Sequence, residues 1–351
     1  MTKKTTKRQD FILEILQKKD RVPISQITDE VSKSIKPVSK ITVNRDLGGL
    51  IKLGFVRREG GGRAATYLLS KHFHLIREIP IEDYFKKDPD QRDAKKSFNF
   101  QIFSFLKDVF TDEEKKWLQA LEQEYHGNIR RLSPVVIKKE MERLIIEFSW
   151  KSSQIEGNTY TLLETETLLK EHHEAKGHRK DEATMLLNHK NALDFIWENK
   201  KEFRAVSTVK IEHLHSIITK DLGISKNIRS SLVGITGTAY QPIDNQWQIK
   251  EALSKTSDLV NQEKDPFSKS LIVSAMIAYI QPFEDGNKRI ARILGNALLL
   301  ANDSCPLSYR SASEAEYKKA VLLFFEQNNI SYYKKLFLEQ YEFAVKNYFR
   351  S

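Results

Sequence analysis

The stretch AYIQPFEDGNKRIARILGN, residues 278–296, decides how the second half of the chain folds. Apolar residues with helical spacing precede and follow it, so the pattern predicts two helices joined by a short loop. Pro282 favours the end of the first helix, and we expect the second to begin near Asn287. The first turn of that helix carries backbone N–H groups without intrahelical partners. These groups and the helix dipole favour an anion.

The side chains at this turn are suited to a phosphate chain. Gly286 lets the backbone approach an anion closely. Arg289 and Arg292 are three positions apart, so both lie on one helix face, where two guanidinium groups suit a di- or triphosphate. Asp285 offers one hard oxygen ligand for Mg²⁺ beside the phosphates. The alternative is a capped helix whose arginines pair with nearby acids. The other candidate nucleotide-binding residues are Asn287, Lys288 and Asn296.

The string QPFEDGNKRIAR, residues 281–292, resembles the signature of the Fic family (filamentation induced by cAMP), H-P-F-x-D/E-G-N-G/K-R-x-x-R. Only the first position differs, where Gln281 replaces histidine. The resemblance implies a mainly helical fold and transfer of AMP from ATP, with Mg²⁺, to a hydroxyl of a target protein whose identity is unknown. In that reaction the histidine takes the hydroxyl proton, and an amide lacks the necessary proton affinity. Gln281 and Asp285 are the candidate catalytic positions. We expect ATP binding with weak or absent transfer.

A second motif, SWKSSQIEGNT, resembles the inhibitory motif of Fic proteins, S/T-x-x-x-E-G/N, through Ser152, Glu156 and Gly157. The resemblance implies that Glu156 pairs with Arg292 and blocks the seat of the γ-phosphate of ATP. A carboxylate opposite a phosphate-binding arginine also acts as an anion mimic on chemical grounds alone. We therefore expect these two side chains to lie within salt-bridge distance when no nucleotide is bound.

Residues 228–247 read as a β-hairpin. Fic proteins carry a flap at this point, which aligns the target segment by strand addition. The predicted fold is therefore an all-helical Fic domain with a β-hairpin flap, together with a small N-terminal α+β domain.

That N-terminal domain is predicted from three helical segments and a hairpin. The helices cover residues 7–19, a short segment capped by Ser25, and a segment from about Ser39. The inward-facing positions of the third helix are predicted to be Ile41, Leu47, Leu50 and Leu53. Two strand-like pieces then flank a glycine-rich turn. The stretch ITVNRDLGGLIKLGFVRREGGGRAATYLL, residues 41–69, resembles the winged helix-turn-helix domains of bacterial regulators.

The charge of this region indicates double-stranded DNA as its partner. The whole chain carries +10, and 15 Lys+Arg against 7 Asp+Glu in residues 1–70 give +8 of it. The alternatives are a solvated basic face or a winged helix that contacts only protein. Paired half-sites are common for such domains, so a homodimer is expected. The candidate DNA-binding residues are Lys40, Thr42, Asn44, Arg45, Arg57, Arg58 and Arg63.

The predicted domains are a winged helix at 1–70, a connector with helices at 71–134, and a Fic domain at 135–351 that includes the inhibitory helix and the C-terminal helices. The single cysteine, Cys305, excludes a disulfide framework and indicates a reducing cytoplasm. The sequence contains no apolar run long enough to span a membrane.

Two functional classes remain open at this point. In one, the protein is a DNA-binding regulator with a nucleotide-sensing but inactive Fic domain. In the other, it is a working enzyme whose base comes from elsewhere, or which removes AMP by using Glu156 to activate water. Lys288 also leaves phosphoryl transfer open. His213 or His215 would favour the enzyme class if either reached the target hydroxyl. The cluster Glu171, His172 and His173 is wrongly spaced for a metal on one helix face.

Overall fold

The computed structural model describes residues 5–70 and 72–350, and the chain divides into two compact units, Met1–Glu78 and Ile79–Ser351. The first unit thus extends eight residues beyond the predicted domain at 1–70, and the predicted connector contributes residues to both units. Within the described ranges, the helices lack the combination of length and apolar character needed to cross a membrane.

The first unit contains the three predicted helices followed by the two predicted strands, together with a short first strand and a short last helix that the sequence analysis did not predict. Its elements are α1 (Lys7–Lys18), β1 (Val22–Pro23), α2 (Ile24–Ser34), α3 (Lys40–Lys52), β2 (Val56–Glu59), β3 (Thr66–Leu69) and α4 (Phe73–Ile76). The strand order is β1-β3-β2, with Arg58 opposite Tyr67. Three helical residues, Val43, Leu47 and Leu50, share one face of α3 and form its contribution to the core.

Two predictions for this unit are wrong in detail. Ile41 is not an inward residue: its exposure is 83%. The periodicity that buries Val43 and Leu47 places residue 41 on the opposite side of the helix, and Val43 takes the inward position. Ser25 does not cap α2, because the chain enters the helix directly from β1 and Pro23 occupies the capping position without a side-chain hydrogen bond.

The second unit is mainly helical, as the sequence predicted. Its helices are α5 (Ile81–Phe85), α6 (Asp112–Ile129), α7 (Pro134–Ile155), α8 (Leu162–Glu171), α9 (Lys180–Glu198), α10 (Thr208–Ile218), α11 (Gln246–Gln262), α12 (Pro266–Ile280), α13 (Asn287–Ala301), α14 (Glu314–Gln327) and α15 (Ser331–Asn347). Helices α12 and α13 pack against each other and are almost entirely buried. Gly295 permits their close approach, since a Cβ there would lie 2.4 Å from the Ser274 Oγ. The predicted pair of helices around residues 281–286 is confirmed.

The hairpin predicted at residues 228–247 is wrong. Residues 228–245 contain no strand, apart from one isolated bridge between Gln241 and Ser97, and α11 has begun by Gln246. The sequence pattern was typical of a hairpin, but the carbonyl groups of this segment find another donor. Arg229 is buried and donates hydrogen bonds to the Ser231 and Ile243 oxygens. In place of the predicted strand pair, residues 228–245 form an irregular segment whose carbonyl groups accept hydrogen bonds from the Arg229 side chain.

Candidate phosphate-binding site

The turn between α12 and α13 is built from two left-handed residues. Gln281 ends α12 with φ 52°, and Gly286 precedes α13 with φ 82°. Glycine is required at the second position because of this φ and because a Cβ would lie 3.3 Å from the His215 Nε2. No side chain of the described residues caps the start of α13. The first N–H groups of this helix therefore remain available to an anion.

Two asparagine amides fix the shape of the site. The Asn287 Oδ1 accepts from the Phe283 N–H at 2.9 Å and its Nδ2 donates to the Phe283 oxygen at 2.8 Å. The Asn296 side chain makes the same pair of bonds to Leu307, both at 2.8 Å. Both amides already have backbone partners. Their side chains therefore hold the loops of the site in place rather than pointing unpaired groups at a ligand.

Asp285 and Arg289 form the outer edge of the turn. The Asp285 Oδ1 accepts from the Gly286 N–H at 2.6 Å, and its Oδ2 accepts from the Arg289 Nη2 at 2.9 Å. The Asp285 side chain is 68% exposed, whereas that of Arg289 is 2% exposed. Among the described residues the buried Arg289 Nη1 has no hydrogen-bond partner. A buried cationic donor without a partner is costly, so this atom is suited to an anionic ligand.

Arg292 lies on the same side of α13 and is fully buried. Its Nη2 donates to the Glu156 Oε1 and to the Ser152 oxygen, each at 2.9 Å, and its Nε donates to the Ser152 Oγ at 2.9 Å. The predicted distance between Glu156 and Arg292 is confirmed. The Arg292 Nη1, like that of Arg289, lacks a partner in the described part of the chain.

Glu156 lies at the end of α7, followed by Gly157 with φ 95°. The Lys288 Nζ lies 3.5 Å from the Glu156 Oε2, whereas Arg292 contacts the other carboxylate oxygen, Oε1. Burial would raise the pKa of this carboxyl, but Arg292 and Lys288 outweigh it and hold the pKa below its ordinary value. The carboxylate is therefore charged at neutral pH and pairs with both Arg292 and Lys288.

His189 belongs to the same network, although the sequence analysis did not identify it. Its ring is fully buried, and burial lowers its pKa to about 3, so it is neutral at pH 7. The Nδ1–H donates to the Met185 oxygen at 2.8 Å, which leaves Nε2 as an acceptor for the Ser152 hydroxyl at 3.1 Å. The Ser152 oxygen is thereby turned toward Arg292. A histidine flanked by Asn188 and Lys190 in an amphipathic helix gives no sequence signal for this role.

Gln281 is also tied to the backbone. Its side-chain Nε2 donates to the Ala278 oxygen at 2.6 Å. Its main-chain carbonyl accepts from the Arg229 Nε at 2.7 Å. Arg229 was not identified from the sequence, because its partners are backbone oxygens that no motif reports. Burial lowers the pKa of Arg229. The Arg229 guanidinium thus links the turn at Gln281 to the segment 228–245.

The two histidines considered as substitute bases have other roles. The His215 Nε2–H donates to the Asp285 oxygen at 2.9 Å, and its ring stacks on Phe283 with centroids 3.6 Å apart. Burial lowers the pKa of His215 to about 4, so it supports the loop as a neutral ring. His213 is exposed and contacts Phe195 edge-on. Neither observation provides a base beside Gln281.

Metal-ligand clusters of three or more His, Cys, Asp or Glu residues do not occur in the described part of the chain. The cluster rejected from the sequence, Glu171, His172 and His173, contains only an exposed contact of 3.6 Å between Glu171 and His173. Cys305 is buried, and burial raises the pKa of its thiol. It is therefore an inert core residue.

The candidate DNA-binding residues of the first unit are mostly at its surface. The exposed side chains are those of Lys40, Asn44, Arg45, Arg57 and Arg58. Thr42 is half-buried, and its hydroxyl lies 3.1 Å from that of Ser39, the residue that caps α3. The side chain of Arg63 lies outside the described residues. Arg8 pairs with the buried Asp46 and so fixes α1 against α3.

Residues 205–299 match the model of the Fic/DOC family. These residues form a Fic/DOC domain. The matched range includes α10, α11, α12 and most of α13, and thus the whole turn between Gln281 and Arg292. Glu156 and Ser152 lie outside the range.

Relatives of the Fic/DOC domain are named protein adenylyltransferases. A probable protein adenylyltransferase of Aquifex aeolicus is 29% identical over 117 residues, which cover 33% of this chain and 36% of the relative. The protein adenylyltransferase Fic-1 of Caenorhabditis elegans is 24% identical over 190 residues, covering 52% of this chain and 37% of the relative. The aligned part thus spans little more than a third of these curated relatives.

Solved structures show the same fold. Residues 134–508 of Fic-1 from C. elegans superimpose with a TM-score of 0.58 at 20% identity, covering 67% of this chain and 71% of the other. A Fic-domain signalling protein from Bacteroides thetaiotaomicron gives a TM-score of 0.54 at 20% identity, covering 65% and 95%. The similarity therefore extends well beyond the Fic/DOC domain, into the helices that surround it.

Proposed function

We propose that the second unit binds the phosphates of ATP at the turn between α12 and α13. The proposal depends on two buried arginines, Arg289 and Arg292. Among the described residues, the Nη1 of each has no hydrogen-bond partner, and no side chain caps the start of the helix that carries them. Buried unpaired donors cost about 1–3 kcal/mol each, and more when charged. A bound phosphate chain would satisfy both arginines and the free N–H groups together.

Mg²⁺ fits the same site through Asp285. Magnesium is held in nucleotide sites by one or two carboxylates, with phosphate oxygens and water completing the shell. The exposed carboxylate of Asp285 supplies the one protein oxygen that this arrangement needs. When bound, the metal would neutralise part of the phosphate charge. The Asp285 carboxylate would also keep its hydrogen bond from the Arg289 Nη2, which fixes the two side chains relative to each other.

The same turn lacks an imidazole at the first signature position, where the family has its proton acceptor. In the family signature the first position is histidine, and here it is Gln281, whose amide donates to the Ala278 oxygen. Loss of a general base costs about 10²–10⁴ in rate. We therefore assign the protein as a Fic-type nucleotide-binding protein related to adenylyltransferases, with transfer of AMP weak or absent. The contact between Glu156 and Arg292 acts as a brake on the binding of the γ-phosphate.

Removal of AMP by Glu156 is the less favoured alternative. In that reaction the carboxylate would have to take a proton from water. Arg292 and Lys288 hold the pKa of Glu156 below its ordinary value, which makes it a weaker base than a free carboxylate. A regulator that senses nucleotides without turnover is consistent with the same contacts.

Calorimetric titration of the full chain with ATP and Mg²⁺ tests the proposed site. We expect ATP to bind, and Arg289→Gln to weaken binding by about ten-fold or more, because a charge-assisted bond to phosphate is lost. Arg310→Gln is the matched control, since Arg310 is a surface residue that pairs with Glu147. The proposal is wrong if neither the wild type nor Glu156→Gly binds ATP.

For the first unit we propose binding to double-stranded DNA through α3 and the loop between β2 and β3, in the manner of a winged helix. Support comes from the +8 charge of residues 1–70 and from the exposure of the basic side chains on α3 and β2. We further propose that the protein binds as a homodimer to paired half-sites. The two units together would make a DNA-binding protein that responds to nucleotide.

The affinity of the full chain for duplex DNA is expected to fall steeply with salt, since phosphate contacts release counterions. Replacing both Arg57 and Arg58 with glutamine should reduce the slope of log K against log[salt] by about two if each contacts one phosphate. Fluorescence anisotropy with a labelled duplex measures both quantities. Salt-independent binding, or none, would contradict the proposal.

A further inference from the structure

One face of α3 carries two residues, Ile41 and Gly48, that packing within the first unit does not explain. Asn44 on the same face has an internal contact, since its Oδ1 accepts from the Tyr67 hydroxyl at 3.5 Å. Ile41, Asn44, Arg45 and Gly48 lie at helical spacings of three, four and seven, and so share one side of the helix. The core residues Val43, Leu47 and Leu50 lie on the other side. This outer face holds a large apolar residue, an amide, a cation and a glycine in succession.

Gly48 is a costly residue for the middle of a helix. Glycine lowers helix stability relative to alanine, and close packing does not explain it here, because a Cβ at Gly48 would meet no atom of the described residues within 4 Å. Its neighbour Gly49 differs: a Cβ there would lie 2.8 Å from the Gln9 Nε2 of α1, so close packing explains that glycine. Gly48 leaves open space on the outer face, where another molecule could approach the helix backbone closely.

Ile41 is equally unexplained as a surface residue. At 83% exposure it is the most exposed of the large hydrophobic side chains among the described residues. Its surroundings are polar and basic rather than apolar, with Lys40 beside it and Arg45 one turn away. A protein partner with an apolar patch would have to desolvate these cations. A nucleic acid would pair with them and still offer an apolar contact, the 5-methyl group of thymine.

We propose that α3 reads thymine in the major groove of DNA. In this arrangement Ile41 packs against a thymine methyl group and Asn44 faces a neighbouring base edge. Gly48 allows the sugar–phosphate backbone to pass close to the helix. The proposal rests on the DNA-binding function proposed for the first unit and makes it specific: Ile41 determines sequence preference, and Gly48 determines how closely the duplex lies.

The test begins with a duplex selected from a random pool by the full chain. Each thymine of the selected site is then replaced by deoxyuracil, which removes only the methyl group. For the wild type we expect one or two positions at which affinity falls about four-fold, the effect of one buried methyl. Ile41→Ala should lose this sensitivity at those positions. Val209→Ala, a surface residue of α10, is the control and should keep it.

Gly48→Ala provides a second test, in which the melting temperature and the affinity for DNA should change in opposite directions. Alanine is a better helix former and meets no obstacle within the protein, so the melting temperature should rise. The affinity for the selected duplex should nevertheless fall by at least about ten-fold, because the added methyl group lies where the backbone of the duplex would pass. A folding defect would lower both quantities and is therefore distinguishable.

The outcomes separate the two levels of the proposal. If no duplex is selected, the DNA-binding function is wrong, and thymine reading with it. If a duplex binds but deoxyuracil is neutral at every position, DNA binding holds and the role of Ile41 is overturned. Unchanged affinity in Gly48→Ala overturns the close approach. If Ile41→Ala instead converts a dimer to a monomer in sedimentation, this face is a contact between copies of the chain.

Discussion

The double variant Gln281→His, Glu156→Gly is expected to label itself or a partner protein with AMP about a hundred-fold faster than the wild type, and up to 10⁴-fold. The two changes meet separate needs. An imidazole at residue 281 supplies the proton acceptor that the amide lacks. Loss of the carboxylate frees, for the γ-phosphate, the N–H of the Arg292 Nη2 that donates to Glu156 at 2.9 Å, while Nη2 keeps its bond to the Ser152 oxygen. Incorporation of label from ATP labelled at the α-phosphate measures the rate.

The control is Gln281→Asn combined with Glu156→Gly. This variant has the same freed arginine but still carries an amide at residue 281, and it should remain as slow as Glu156→Gly alone. Strong labelling by the wild type would show that Gln281 is not a defect. A silent double variant that still binds ATP would show that more than the base is missing, and a sensing role would become the better account.

Glu156→Gln alone should tighten the binding of ATP by about ten- to a hundred-fold, the value of one to two charge-assisted hydrogen bonds regained by the phosphate. The neutral amide no longer competes as an anion for Arg292 and Lys288. The effect should be confined to the third phosphate, so ADP affinity should change little. Titration calorimetry with both nucleotides at one Mg²⁺ concentration gives the ratio directly.

Arg292 should remain ordered in this variant, because Ser152 holds its Nε and Nη2 independently of Glu156. A thermal melt near that of the wild type would confirm this. Glu166→Gln is the matched control, since Glu166 is a surface residue paired with Lys170 in α8. Equal gains for ATP and ADP would contradict the assignment of Glu156 to the seat of the γ-phosphate.

Periodicity and local chemistry were enough to predict helices α12 and α13 and the turn between them. The start of α13 could be located because Pro282 favours the end of one helix and Gly286 precedes the apolar spacing of the next. The proximity of Glu156 to Arg292 followed from charge complementarity and from the resemblance, although 136 residues separate them. In each case the signal lies in short motifs, residues 281–292 and 149–159, that can be read directly from the sequence.

Other features depend on contacts that a single segment does not encode. The segment from 228 resembled a hairpin, but the buried side chain of Arg229 takes the place of a partner strand. His189 supports Ser152 across 37 residues without any motif. Hydrophobicity alone predicts that Ile41 faces inward. The buried positions of Val43 and Leu47 define the inward face of the helix, and residue 41 lies on the opposite face.

The backbone at Gln281 has a consequence for the history of the site. Its left-handed conformation is held by two hydrogen bonds to its main chain: its N–H donates to the Ile277 oxygen, and the Arg229 side chain donates through Nε to its main-chain carbonyl. Histidine is among the residues that accept this conformation readily. Glutamine and histidine codons differ only in their third base. A single nucleotide change could therefore restore the base without rearranging the turn, so the chain lies one mutational step from the complete signature.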